Sequence, residues 1–471
     1  MEQSMRTCLT LVPLLLVTCG PASAIADETR VLAAIRAFFA TQDLDRRAEL
    51  AAQIESDSAY RRDKLSGWLH DAIEFDKLEA GQSEIHVPLA NGQSRRVVLR
   101  IPAEYDASKP WPLIYALHGK GGRGEGVIRY FEHVLGSDVE QYLIAAPSRY
   151  EEAVIHRAWP PPMEHPRALA ALRRAVHVDS DRVFVAGYSL GGHATWTLAV
   201  LHSDQFAGAL AVAGTFSLLE VDKLWGVFLP NLANTHMVCV WGVRDMYAND
   251  GNTLSPEGGI AGLNRRLCEL AESSKLPVVG YEDPERGHGD VVPPGQLVKE
   301  LLGRRRVQYP ARVRQTFRHI YQAQAYWLEG HVWKGPQWTE KLPTVRLRQG
   351  EDANRPDDVT RALVRTIRGV LGELRGTVDG QTIDVRRTRV SELTIWIGDG
   401  MLDWDKPVTV KVSARKVFEG VLEPDLFVCL AQAARTYDFD RLRWAGLRFR
   451  SGHKARLVTG RTTFRALGEQ E

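Results

Sequence analysis

The sequence predicts an α/β chain built on a doubly wound, mostly parallel sheet, with a helical N-terminal lead-in and a C-terminal β-rich accessory domain. Three observations carry the prediction. Between residues 84 and 303, short apolar and β-branched runs alternate with helical stretches, the pattern of strands covered on both faces. One of those runs enters a Gly-x-Ser-x-Gly turn at Gly187 to Gly191 and leaves as a helix. Beyond Gly303 the texture changes to Arg, Thr and Val alternation broken by glycine turns, which reads as antiparallel strands.

Length and composition agree with this plan. A chain of 471 residues with 44% hydrophobic and 25% charged content is globular and larger than one ordinary domain. Its 60 Lys and Arg against 58 Asp and Glu leave a net charge of +2, too small a field to gather nucleic acid or anionic lipid. No nucleic acid partner is expected. The basic runs Arg304 to Arg306 and Arg386 to Arg389 read as solvated faces.

The first element, residues 1–26, reads as a signal peptide. A basic start through Arg6, the apolar run Leu9 to Val17 and the small residues Pro21 to Ala24 precede Asp27 and Glu28. Cleavage is expected near Ala24 or Ala26, which places the chain in a secreted or periplasmic setting. The run is shorter than the ~20 residues of a spanning helix, and no later segment is apolar enough to cross a membrane. Lipidation of Cys19 is a weaker reading, because Thr18 is a poor residue before a lipidated cysteine. Cys8 and Cys19 would leave with the signal. Cys239, Cys268 and Cys429 would stay, and an odd number without close spacing argues against a disulfide framework or a zinc cluster. Cys239, inside the apolar run Met237 to Val240, reads as a buried core thiol.

Residues 27–83 form the helical lead-in, with Leu65, Trp68, Leu69, Ala72 and Ile73 spaced as one helix face. Residues 84–303 form the catalytic domain. Its strands are expected at Arg96 to Ile101, Leu113 to Leu117, Leu143 to Ala146, Arg182 to Ala186, Ala209 to Ala213, Met237 to Trp241 and Val278 to Tyr281. Helices are expected at Pro166 to Val176, Gly192 to Leu201 and Gly259 to Ser274. Residues 310–471 form the β-rich domain, with strands at Thr394 to Ile397, Val408 to Val412, Val417 to Gly420 and Leu447 to Phe449 and a helix at Leu426 to Thr436. The stretch Asp403-Trp404-Asp405-Lys406-Pro407 and the strand after it resemble an accessory module behind the catalytic domain of some bacterial secreted esterases; the resemblance assigns it no chemistry.

Chemistry centres on Ser189. Glycines beside a serine at the tip of a strand–turn–helix let strand and helix approach closely while the serine takes strained torsions. A serine hydroxyl is almost wholly protonated at neutral pH and attacks poorly until a base takes its proton. In such an elbow the chain order is Ser, acid, His. Of the fourteen histidines, His288, His319, His331 and His453 follow the plausible acids, and the last three lie beyond the catalytic domain. His288, in a flexible loop after the strand at 278–281, is left as the base. Asp245, in the loop after Met237 to Trp241, is the expected acid. Glu220 and Asp222 are the alternative, while Asp250 and Asp283 read as solvated turn residues.

An oxyanion hole is also needed, since charge develops on the carbonyl oxygen at the tetrahedral stage. The Leu190 amide, directly after the nucleophile, is one expected donor. Gly119 or Lys120, in the glycine-rich turn after Leu113 to Leu117, is expected to supply the second.

The segments PLIYALHGKGG, DSDRVFVAGYSLGGHATW, WGVRD and RGHG resemble the α/β hydrolases, in particular bacterial esterases near the feruloyl esterase, polyhydroxybutyrate depolymerase and prolyl oligopeptidase-like groups. The resemblance covers residues 84 to 303 and implies the triad Ser189, Asp245 and His288, without metal or organic cofactor. The helical lead-in is unlike the propeller of oligopeptidases, which favours esters over peptides. The implied substrate is a small-molecule or polymer-linked ester. A serine peptidase or amidase with the same triad is the second reading, and a non-catalytic binding protein on a hydrolase scaffold the third. Trp159 to Pro162 with Tyr130, Phe131 and Tyr188 are candidates to wall an acyl or aromatic pocket, Tyr188 and Trp159 foremost. Tyr326, Trp327, Trp333 and Trp338 are either a sugar-stacking cluster or, more simply, a β-domain core.

Overall fold

In the computed structural model, residues 21–88, 94–148, 164–216, 224–247, 258–336 and 344–459 are described. The signal peptide reading therefore falls largely on residues outside this set. Among the described residues, no helix is long and apolar enough to cross a membrane.

The described residues up to Ala72 are one compact unit, made of α1 (Pro21–Ala40), α2 (Leu44–Ser56) and α3 (Leu65–Ala72). The expected face is the one that packs: Leu65, Trp68, Leu69 and Ala72 are buried, as are Ile35, Phe38, Leu50 and Ile54. Asp43 caps α2 by accepting from the Arg46 amide at 2.9 Å, and the Arg36 guanidinium donates to the last carbonyl of α3, on Ala72, at 2.9 Å. Orphaned groups at two helix ends are thereby satisfied.

The described residues from Ile73 onward form the second unit. Its first half holds β1 (Gly81–Pro88), β2 (Ser94–Ile101), β3 (Trp111–Leu117), α4 (Gly124–Leu135), β4 (Leu143–Pro147), α5 (Glu164–Ala175), β5 (Val178–Tyr188), α6 (Leu190–Leu201), β6 (Gly208–Val212), α7 (Trp225–Phe228), β7 (His236–Gly242), α8 (Ile260–Ser273), β8 (Val278–Asp283) and α9 (Gly295–Leu302). The strands make one eight-stranded sheet in the order β1-β2-β4-β3-β5-β6-β7-β8. It is antiparallel at β1/β2 and β2/β4 and parallel from there on. This is the α/β hydrolase fold.

Alternate residues of the strands serve opposite faces, as the two-residue repeat demands. Leu113, Tyr115, Val183, Val185, Ala209, Ala211, Met237 and Cys239 pack with α5, α6 and α8. Ile114, Ala116, Phe184, Ala186, Leu210, Val212, Val238 and Val240 pack with α4 and α9. Both faces are covered, so the inner strands β3 to β7 read as largely continuous apolar runs. Cys239 is fully buried, as expected, but its sulfur lies 3.5 Å from that of Cys268 on α8. The spacing of twenty-nine residues hid this adjacency, which strand and helix create by packing.

The second half carries β9 (Arg312–Phe317), β10 (Gln324–Ala325), β11 (Leu328–Trp333), α10 (Pro356–Arg368), β12 (Gly372–Asp379), β13 (Thr382–Thr388), β14 (Val390–Gly398), β15 (Val408–Val412), β16 (Arg415–Gly420), α11 (Leu426–Thr436), β17 (Arg443–Arg450) and β18 (Arg456–Leu457). These strands form two five-stranded sheets that share one apolar core. Tyr326 and Trp327 are fully buried in it and Trp333 packs against it, a core and not a stacking platform; Trp338 lies outside the described residues.

The two halves are joined by buried polar contacts. The Asn231 side chain accepts from the Thr316 amide at 2.8 Å and donates to the Thr316 carbonyl at 2.9 Å. Ile367 and Leu371, from α10 and the residues after it, lie in the core of the first half. Arg306 does not belong to a solvated face: its side chain is 1% exposed and pairs with Asp181 at 2.9 Å and Asp438 at 2.8 Å.

Candidate active site

β5 carries its apolar run into Gly187, and the chain reverses at Ser189, whose φ of 57° and ψ of −116° are strained for a residue with a side chain. The turn is pinned by hydrogen bonds on both sides. The Ser189 amide donates to Val212 O at 2.8 Å, and the His193 amide donates to Ser189 O at 3.0 Å. A Cβ on Gly191 would lie 1.9 Å from the Leu117 carbonyl oxygen, and one on Gly187 2.3 Å from the Gly191 carbonyl oxygen. Glycine is therefore required by backbone approach at both positions.

The loops after β7 and β8 bring the other two groups to this tip. They are laced together: the Val243 amide donates to Asp283 O at 2.8 Å and the Arg244 amide to Arg286 O at 3.0 Å. His288 Nε2 lies 2.8 Å from Ser189 Oγ, and His288 Nδ1 lies 2.9 Å from Asp245 Oδ2. Asp245 is fully buried, while the His288 side chain is 23% exposed. An ionised carboxylate only accepts, so the arrangement fixes the proton on Nδ1 and leaves Nε2 to accept from the serine hydroxyl. Asp245 is itself held by its backbone, its amide donating to Gly242 O and its carbonyl accepting from the Ala261 amide, both at 2.9 Å.

The glycine-rich loop lies beside Ser189. A Cβ on Gly119 would sit 3.4 Å from Ser189 Cβ, and the Gly122 amide closes the turn on Gly119 O at 3.0 Å. Leu190, the first residue of α6, has its amide at the positive end of that helix. Lys120 is exposed. Leu190 and the loop of Gly119 and Lys120 thus flank Ser189.

Two tyrosines expected at an acyl pocket, Tyr188 and Tyr130, bond to the histidine loop. The Tyr188 hydroxyl donates to the His288 carbonyl at 2.5 Å, and the Tyr130 hydroxyl donates to the Val291 carbonyl at 2.8 Å. Their rings lie 5.2 Å apart. Burial pushes the Tyr188 phenol up to about 12, with Asp245 and Asp290 adding to it, and pushes Tyr130 further still; both stay donors at neutral pH. The hydroxyls of Tyr188 and Tyr130 are thus engaged on the histidine loop, and Phe131 is buried in the core. Tyr247, 45% exposed, places its ring 4.7 Å from the His288 ring. Nothing in its sequence neighbourhood marks it out.

The other candidates separate from this site. Asp283 accepts from the Glu285 and Arg286 amides in a turn. His331 Nε2 contacts Thr394 Oγ1 at 2.7 Å, and His319 stacks on Tyr321 in the second half. Trp159 to Pro162, Glu220, Asp222 and Asp250 lie outside the described residues.

Comparison with known proteins agrees with the fold. The sequence profile of the prolyl oligopeptidase family matches residues 167–232, which include the elbow. Dipeptidyl-peptidase 5 of Porphyromonas gingivalis is 28% identical over 142 residues, 26% of this chain and 20% of that protein. NocK of Nocardia uniformis, named as a candidate esterase, is 35% identical over 116 residues, covering 22% of this chain and 33% of its own. The probable feruloyl esterase C of Aspergillus niger is 28% identical over 142 residues, 27% of this chain and 50% of its own length. The chain thus spans between a fifth and a half of the relatives it matches.

Proposed function

We propose that this α/β hydrolase is a secreted serine hydrolase that cleaves carboxylic esters through an acyl-enzyme on Ser189. One observation carries the reading: the continuous line from Ser189 Oγ to His288 Nε2 at 2.8 Å and from His288 Nδ1 to buried Asp245 at 2.9 Å. Nucleophile, base and orienting acid stand in the order and spacing that acyl transfer needs.

In the first step His288 Nε2 takes the Ser189 proton as Oγ attacks the ester carbonyl carbon. The Leu190 amide and an amide of Gly119 or Lys120 receive the negative charge on the carbonyl oxygen; each such donor is worth about 3 kcal/mol at the transition state. Asp245 stabilises the imidazolium without taking the proton. His288 then gives its proton to the departing alcohol. Water, activated by the same ring, hydrolyses the acyl-enzyme and restores Ser189.

The second reading is peptide or amide cleavage by the same residues, favoured by the prolyl oligopeptidase match over residues 167–232 and by the dipeptidyl-peptidase relative. A fluorophosphonate probe tests the shared core: labelling of the wild type and none of Ser189→Ala is expected, and an unlabelled wild type would leave both readings without support. Turnover of p-nitrophenyl esters against peptide anilides separates them. Faster anilide cleavage would displace the ester reading. Release of the mature chain into the periplasm or medium, with a new N-terminus near residue 26, tests the location.

A further inference from the structure

Among the described residues, one pair of reactive side chains outside the site has no part in the mechanism. Cys239 sits in the middle of β7 and is fully buried. Cys268 sits on α8 and is partly exposed. Their sulfurs are 3.5 Å apart, so closing to the ~2.05 Å of a disulfide needs a movement of about 1.5 Å shared between two side chains. The strand and the helix that carry them bracket residues 240–267. That segment contains Asp245, whose carbonyl accepts from Ala261 at the start of α8, and Tyr247 beside His288.

We propose that Cys239 and Cys268 are a disulfide-forming pair that, once oxidised, ties α8 to β7 and pins the acid-bearing segment of the active site. The inference is independent of which bond the enzyme hydrolyses. It requires an oxidising compartment, and disulfides persist in secreted and periplasmic proteins.

The chemistry is asymmetric because the two thiols are. A hydrogen bond from Cys239 makes the Cys268 thiol the easier to ionise, despite burial and Glu269 working against it, whereas that hydrogen bond and full burial push Cys239 up. The thiolate is the nucleophile. Cys268 therefore attacks first on a small disulfide such as oxidised glutathione and releases one glutathione thiol. Cys239 then loses its proton and displaces the second glutathione from Cys268. Two protein thiols are oxidised to one disulfide, and one glutathione disulfide is reduced to two thiols.

The full chain is equilibrated in oxidised glutathione, alkylated without reduction and mapped by peptide mass spectrometry, with Cys429 in α11 as the reference thiol. The expected result is a peptide pair linked through Cys239 and Cys268, with Cys429 alkylated. Alkylated Cys239 together with alkylated or glutathionylated Cys268 would overturn the proposal. Thermal melts supply the second measurement. The oxidised wild type should melt a few degrees above the reduced protein, since a closed loop restricts the unfolded chain, while Cys268→Ser should melt at one temperature in both conditions. This within-variant comparison stays informative even where the substitution itself lowers stability. A linked pair without any rise in melting temperature would overturn the claim that the bond pins the segment.

Discussion

The hydroxyl of Tyr188 donates to the carbonyl oxygen of His288 across 2.5 Å, so the residue that precedes Ser189 also holds the backbone of His288. Tyr130 repeats the device three residues further on, at Val291. These are positioning contacts, since neither hydroxyl touches Ser189. Tyr188→Phe removes one hydrogen bond worth about 1 kcal/mol. A fall in kcat of about five-fold is expected, with KM changing less than two-fold and the melting temperature little altered. Steady-state kinetics on an ester substrate checks this, and the same rise in KM as fall in kcat would reassign Tyr188 to substrate binding.

Gly191 and Gly126 should respond to alanine with opposite signs. At Gly191 the new methyl would meet the Leu117 backbone oxygen at 1.9 Å, which no side-chain movement relieves. Gly191→Ala is expected to lose more than about 4 kcal/mol, or to fail to fold. Gly126, inside α4, has nothing within 4 Å of the added Cβ, and Gly126→Ala should gain up to about 1 kcal/mol from helix propensity. Urea midpoints of the two variants give the comparison. A stable Gly191→Ala would mean that the elbow is looser than its close contacts imply.

The contrast between those glycines also explains what could be read from the sequence. The sheet was legible because strands covered on both faces, such as Leu143–Pro147 and His236–Gly242, must be apolar throughout. Ser189, Asp245 and His288 were legible because their order along the chain and their places after strand ends are set by the fold. α4 and β1 were missed: α4 begins directly after a glycine-rich turn, and β1 is an edge strand with a largely exposed pattern. The tyrosine anchors were illegible because hydrogen bonds to backbone carbonyls 100 and 161 residues away leave no spacing signal. Arg306 misled for a related reason, as a basic run looks the same whether solvated or paired with carboxylates distant in sequence.

That arginine gives a third prediction. It donates to both oxygens of Asp438, at 2.8 and 3.0 Å, and to Asp181 at 2.9 Å. Burial alone would push the Asp438 carboxyl up, but Arg306 and Arg441 override it and hold the group far below the usual carboxylate range. Arg306→Met leaves two buried carboxylates without this partner and should cost about 3 to 5 kcal/mol. Adding Asp438→Asn should restore part of the loss. Denaturant titration of the single and double variants measures the coupling, and strictly additive losses would show that the pair is not energetically joined.

Acid should destabilise the fold before it reaches the carboxylates, through two buried imidazoles. Burial lowers His202 to about 4 although Asp204 pulls the other way, and lowers His165 to about 3, with His202 and Arg95 adding to the effect. His165 Nδ1 contacts the Tyr115 hydroxyl at 2.9 Å, a contact a neutral ring satisfies. Below the unfolded value of 6.5 the unfolded chain binds a proton at each ring, while the folded chain binds none until pH falls to about 4 and then about 3. The stability these groups supply is therefore complete above pH 6.5 and drains away as pH falls from there toward 4, at about 1.4 kcal/mol per pH unit for each ring. Unfolding free energies from urea titrations at pH 7.5, 6.0 and 5.0 should fall along that slope. His202→Gln, which cannot titrate, should lose stability at pH 7.5 yet show a shallower decline, by about one proton's worth, between 6.0 and 5.0. An unchanged slope in that variant would mean that His202 takes up its proton in the folded state and that the acid sensitivity lies elsewhere.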